Sequence, residues 1–195
     1  MIVQRVGADD LDEYARVPIR FDQHSVLEVQ EIDRGLGGLR FVETATRSTV
    51  KDYDELNGQR PTDWPNRFDL SRWSFALARD RAAAIGAAAW IIDDPGIHLL
   101  RGRRGAALLW DLRVAPDHRQ RGVGTALFDH VVEDAHGRGC HHLRVETQNT
   151  NVDACRFYAA RGAHLAEVDR YHYIDTPDTA RDVMLIWQLD LKLEG

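Results

Sequence analysis

Three observations make this sequence an α/β protein. Strand-like and helix-like patterns alternate through its second half, a pair of apolar runs suited to antiparallel strands precedes them, and 44% of the 195 residues are hydrophobic. That content buries a substantial core, and one domain is expected over residues 1–195.

In chain order, an opening strand leads to a short helix at Leu11 to Val17, and Val26 to Ile32 alternates as a strand does. Residues 35 to 72 carry no clear period: Gly35, Gly37, Gly38, Pro61 and Pro65 interrupt them, while Phe41, Trp64, Phe68 and Trp73 tie them to a core. Trp73 to Arg79 and Ala83 to Asp93 form the antiparallel pair. Arg101, Arg103 and Arg104 lie with Gly102 and Gly105 between apolar runs, as at a solvated hairpin tip. In the next strand Leu108, Trp110, Leu112 and Val114 alternate with Leu109, Asp111 and Arg113, so one face reads apolar and the other carries two charges; Pro116 ends it.

Leu127, Phe128, Val131, Val132 and Ala135 then recur at helical spacing, with Asp129, Glu133 and Asp134 assigned to the wet side and Gly137 as the stop. His142 to Thr147 returns to strand, Leu143 and Val145 opposing Arg144 and Glu146. Asn149, Thr150 and Asn151 supply capping residues for a last helix bearing Ala154, Phe157 and Tyr158, closed by Gly162.

Between the charged strand and its helix stands Arg119-Gln120-Arg121-Gly122-Val123-Gly124. Two glycines there let successive N–H groups converge on an anion at a helix start, where the macrodipole also favours negative charge: a pyrophosphate cradle. A nucleoside-triphosphate P-loop would place Lys and then Ser or Thr after its last glycine, whereas Gly124 is followed by Thr125-Ala126. A dinucleotide fingerprint would use three glycines and a carboxylate ending the next strand, and here an arginine leads two glycines.

The order strand, Arg-x-x-Gly-x-Gly helix, strand, Asn-x-x-Ala-x-x-Phe-Tyr helix resembles the GNAT family of N-acetyltransferases. Within it, the run from Glu146 to Tyr158, Val168-Asp169 and Ile186-Trp187 are similar to the streptothricin acetyltransferases, over about residues 106 to 190. The resemblance implies a central mixed β-sheet flanked by helices, with acetyl-CoA as cofactor. It assigns Arg119, Gln120, Arg121, Gly122, Val123, Gly124 and Thr125 to the pyrophosphate loop, and the backbone along Leu112, Arg113 and Val114 to the strand that pairs with the pantetheine arm. It assigns Asn151 and Ala154 to cofactor contact and Tyr158 to a place near the thioester sulfur. Where relatives usually show Gly-Phe after the second helix, this chain has Gly162-Ala163, a smaller apolar contact for the following strand.

The chemistry sets further requirements. A lysine-like amine has a pKa of about 10.4 and must lose a proton before it attacks a thioester. Asp111 and Glu146 are the candidate bases, against the alternative that Arg113 and Arg144 on the same faces hold them in ion pairs. Tyr158 can give a proton or hydrogen bond to the leaving sulfur. Glu43, Asp52, Asp54 and Glu55 are candidates to hold a cationic acceptor, and Trp64 and Trp73 to stack on it.

Three functions remain open: acetylation of a small polyamine-like or aminoglycosyl amine such as streptothricin, acetylation of a peptide or protein amine, and non-catalytic acyl-CoA binding. The formal net charge of −6 argues against a nucleic-acid surface. No leader and no membrane-length apolar run is legible, so the cytoplasm is the expected location. His136, His141 and His142 span a helix end, a turn and a strand start and are not expected to meet on a metal; Cys140 and Cys155 make no disulfide framework. The expected partners are the amine and, at most, a second copy in a homodimer.

Overall fold

The computed structural model describes residues 1–56 and 58–191. In chain order its elements are β1 (Ile2–Val6), α1 (Leu11–Tyr14), β2 (Phe21–Glu31), β3 (Leu39–Lys51), β4 (Trp73–Asp80) and β5 (Ala83–Ile92). They continue with β6 (Ala106–Val114), α2 (Val123–Gly137), β7 (His142–Gln148), α3 (Val152–Ala160), β8 (His164–Asp169) and β9 (Met184–Asp190). These residues form two compact units: one holds the chain to Phe21, Asp52–Val145 and the chain from Leu189, the other Asp22–Lys51 and Glu146–Gln188.

In the first unit the strands run β1-β4-β5-β6-β7. They pair antiparallel up to β6, whereas β6 and β7 pair in parallel, so the sheet is mixed as expected. Helices cover both faces. Gly86 and Ala88 of β5, opposite Val114 and Leu112, face α2; Ala87 and Ala89, opposite Arg113 and Asp111, face Tyr14 of α1.

The alternation expected along β6 breaks at Trp110. Ala89 pairs with Asp111 but Trp90 with Leu109, so Trp110 is the extra residue of a bulge. It joins Phe68 and Trp73, each with ring centroids 5.1 Å away, instead of lining up with Leu112. Tyr14, Trp64 and Phe75 extend this cluster, and Trp64 donates to the Gln59 carbonyl at 3.0 Å. Trp64 and Trp73 are thus core aromatics, which explains how the weakly patterned stretch before β4 is anchored.

Asp134, assigned to the wet side of its helix, is not there, and the arginines on the charged faces of β6 and β7 are buried. Arg113 and Arg144 are each 1% exposed, and Asp134 turns inward to accept from Trp90 Nε1 at 2.7 Å and to pair with Arg5 at 2.7 Å. Each replaces water with a protein partner or a packed surface, which hydrophobic periodicity alone does not register.

The second unit contains the paired β2 and β3, the antiparallel β8 and β9, the end of β7, and α3. β3 was hidden in the unpatterned stretch because it pairs only with β2 and leaves most of its length half or fully exposed. Gly35 and Gly38 lie in the turn before it, both at positive φ. No helix among the described residues is long and apolar enough to cross a membrane.

One glycine sets the spacing between sheet and α2. A Cβ on Gly86 would stand 2.7 Å from Val123 Cγ1, 2.9 Å from Leu127 Cδ1 and 3.2 Å from the Arg113 carbonyl oxygen. Gly86→Val is therefore expected to destabilise the fold by about 1–3 kcal/mol through overpacking, measured as a lower urea midpoint at unchanged m-value.

Candidate active site

The glycine turn where the sequence places the cradle precedes α2 directly. Gln120 and Gly122 sit in the left-handed region at φ 59° and 81°, and the residues that precede Val123 are exposed. Gly122 is the N-cap and carries no side chain, so the first N–H groups of a 15-residue helix receive no cap from it. A Cβ on Gly122 would meet nothing within 4 Å, so the space above this turn is open. Val123, 3% exposed, is wedged over Gly86 and anchors the turn to β5. The Arg119 guanidinium runs back along the chain, donating from Nε to the Val114 carbonyl at 3.1 Å and also to the Arg20 carbonyl. It braces the loop from behind, while Arg121 stays exposed.

Beside this turn, β6 offers a backbone edge. Its parallel pairing with β7 covers only Ala106 to Leu109, opposite His142 to Val145. Ala115 N–H donates to the Ile85 carbonyl at 2.9 Å, which by antiparallel alternation turns Arg113 and Asp111 toward β5 and the amides of Leu112 and Val114 to the other edge. Within this unit those two residues present an extended backbone at the edge that β7 does not pair. Arg113 does not contribute to it: its backbone faces β5 and its side chain is buried.

That side chain organises the other face. Arg113 donates to Asp111 from Nε at 2.9 Å and Nη2 at 2.7 Å, to Asp54 at 2.9 and 3.2 Å, and to the Val17 carbonyl at 3.1 Å. Tyr14 donates its hydroxyl to Asp111 at 2.7 Å and lies under the guanidinium at 5.3 Å. Burial alone would favour loss of the Arg113 proton, but Asp111, then Tyr14 and Asp54, outweigh it and hold its pKa well above the ordinary value. Burial, reinforced by Asp111, likewise pushes the Tyr14 phenol well up. Two carboxylates share one cation, and Asp111 takes the better contacts. Burial therefore wins at Asp54, whose pKa is raised despite Arg113. Of the acidic residues named as holders of a cation, Asp54 is committed here, Asp52 accepts from the Asp54 N–H at 3.0 Å, and Glu43 pairs with Arg156 and Ser25 in the second unit.

In the second unit, Asn151 caps α3, its Oδ1 accepting from Ala154 N–H at 3.2 Å. Tyr158 is 5% exposed and packs edge-to-face on Phe157, with ring centroids 5.2 Å apart. Glu146 on β7 accepts a hydrogen bond from Tyr173, a residue that the sequence did not single out because it lies in an irregular segment before β9. Asp111 and Glu146 thus fall in different units, the first enclosed by Arg113 and Tyr14, the second bound through one oxygen. Burial pushes the Cys140 thiol up to about 11, aided by Asp93, and raises that of Cys155 as well, so neither offers a thiolate nucleophile at neutral pH.

A model of the acetyltransferase (GNAT) family matches residues 40–163, and the chain belongs to that family. By sequence it is similar to streptothricin acetyltransferase A of Bacillus subtilis (strain 168), at 40% identity over 43% of this chain and 47% of the relative. It is also similar to the ribosomal protein bS18-alanine N-acetyltransferase of Escherichia coli (strain K12), at 30% identity over 41% of this chain and 53% of the relative. The chain spans about half the length of these curated relatives. In fold it is similar to nourseothricin acetyltransferase, with a TM-score of 0.75 at 21% identity over 98% of both chains. A Bacillus anthracis str. Ames protein solved in complex with acetyl coenzyme A gives a TM-score of 0.75 at 19% identity over 98% and 97% of the two chains. Acetyl-CoA is the cofactor of this family, and an open helix start beside an unpaired strand edge suits its pyrophosphate and its amide-bearing arm.

Breaking the buried network has a predictable cost. Asp111→Asn leaves Arg113 with Asp54 as its one carboxylate partner in this network and is expected to lower stability by about 3–5 kcal/mol, read from urea unfolding. A loss below about 1 kcal/mol would show that water already screens the pair.

Proposed function

We propose that this chain is an acetyl-CoA-dependent N-acetyltransferase acting on a primary amine of a small cationic molecule, with streptothricin as the leading acceptor. The uncapped start of α2 beside the free amides of Leu112 and Val114 carries the cofactor half of this reading. The similarity to streptothricin acetyltransferase A supports the acceptor half. The similarity to the bS18-alanine enzyme motivates a second reading, in which the acceptor is a peptide amine. The enzyme is proposed to work as a single domain in the cytoplasm.

Acetyl-CoA supplies an acyl group already activated as a thioester. In this scheme Arg121, Gly122, Val123 and Gly124 bind pyrophosphate through their N–H groups, with Gln120 and Thr125 flanking them, and Arg119 holds the turn to β6. Asn151 keeps its amide nitrogen for the cofactor while its oxygen caps α3. Glu146 is the proposed proton acceptor for the ammonium, because its second oxygen carries no partner among the described residues whereas both oxygens of Asp111 are engaged. Asp111 is assigned to holding Arg113. Tyr158 holds a proton at Oη for the leaving sulfur.

The test is thiol release from acetyl-CoA with streptothricin, spermidine and an N-terminal alanine peptide as acceptors. Streptothricin is expected to give the highest kcat/KM. A preference for the peptide would favour the second reading, and no release with any amine would sink the enzymatic assignment. Under saturating streptothricin, Tyr158→Phe should lower kcat on the order of 100-fold with acetyl-CoA affinity kept, and Glu146→Gln should abolish the acidic limb of the rate profile. Unchanged turnover in the first variant makes Tyr158 structural; an unaltered profile in the second removes Glu146 as the base.

A further inference from the structure

The corner between β7 and α3 is four consecutive polar residues, Gln148-Asn149-Thr150-Asn151, the first three of them only 5–8% exposed. Burying so many polar groups where a strand ends is costly unless each finds a partner. The partners come from two sides.

Lys51, the last residue of β3, donates from Nζ to Gln148 Oε1 at 2.5 Å, to Thr150 Oγ1 at 3.1 Å and to the Asp182 carboxylate. An ammonium has three N–H donors, and each meets an acceptor here. Asn149 is held by four bonds. Its N–H donates to the Val183 carbonyl at 3.0 Å, and its carbonyl accepts from Leu27 N–H at 2.9 Å. Its side chain repeats the pattern, Oδ1 accepting from Val183 N–H at 2.7 Å and Nδ2 donating to the Leu27 carbonyl at 3.0 Å. The carboxamide thus acts as a second peptide group, tying the middle of β2 to the segment that enters β9.

The corner leads directly into α3. Asn151 N–H donates to the Gln148 carbonyl at 2.9 Å, and the Asn151 side chain caps the helix. Tyr158 follows seven residues after Asn151 in sequence, about two helical turns. Whatever fixes residues 148–151 therefore fixes the direction in which α3 carries Tyr158.

We infer that Lys51 and Asn149 are positioning residues for acyl transfer, using the β2–β3 pair as a brace that sets the start of α3. The inference rests on the proposed role of Tyr158, and nothing in it requires Lys51 or Asn149 to touch a substrate. It also explains why a lysine stands at this one place: the chain has two lysines against 23 arginines, and a compact ammonium fits a three-acceptor pocket that a planar guanidinium does not match.

The experiment pairs kinetics with amide hydrogen exchange on Lys51→Met, which keeps the aliphatic stem, and Asn149→Asp, which puts an oxygen against the Leu27 carbonyl. Each variant is expected to lower kcat for acetyl transfer at least ten-fold with acetyl-CoA Kd changed less than three-fold, and to speed exchange across 152–158 at least ten-fold while α2 keeps its protection. Lys51→Arg, which retains charge, should recover part of kcat. Should Lys51→Met fail to fold, Thr150→Val removes a single acceptor and decides in the same way. Unchanged exchange in α3, or a folded variant within two-fold of the parent kcat, overturns the inference. If α3 loosens and kcat falls but Tyr158→Phe leaves turnover intact, the brace stands and the role given to Tyr158 fails.

Discussion

The site on the first unit depends on one constraint: β6 is bonded along its length to β5 but to β7 only over its first four residues. A strand held on one side and released on the other exposes backbone groups that must find partners. Here the exposed stretch, with its amides at Leu112 and Val114, runs straight into the turn that starts α2. The same stretch of chain therefore joins the released edge of β6 to the glycine turn for which the cofactor's pyrophosphate is proposed.

Two features keep that open edge from collapsing. Gly86 allows Val123 to seat closely on β5, which fixes the glycine turn against the strand. On the other face Arg113 ties Asp111, Asp54 and the Val17 carbonyl together over the Tyr14 ring. A network of this kind need not add net stability over an apolar substitute, but removing one member leaves a buried charge exposed to its full desolvation cost.

Much of this was legible in the sequence. The glycine turn, both principal helices and the strand order around them follow from spacing and capping residues, because those signals are local. The Asn151 cap and the close of α3 at Gly162 were equally local. What escaped were features fixed by distant partners. The bulge at Trp110, which sends that ring to Phe68 and Trp73, reverses an alternation that looked regular. Asp134 read as solvent-facing because no local pattern reports an indole donor, whereas the Arg113–Asp111 pair was among the sequence alternatives and only its burial and its further partner Asp54 were not. β3 escaped because, unlike its partner β2, its residues show no apolar alternation to read. Lys51 and Tyr173 gained significance only through residues about 100 and 27 positions away.

The most direct measurement is amide hydrogen exchange of the wild-type protein, resolved by residue, with and without acetyl-CoA. Binding through the open edge and the start of α2 predicts new protection at Leu112, Val114 and Gly122 to Gly124, with the amides of Asp111 and Arg113 unchanged because β5 already holds them. Saturating acetyl-CoA that leaves Leu112, Val114 and the glycine turn exchanging at their free rates would contradict the account.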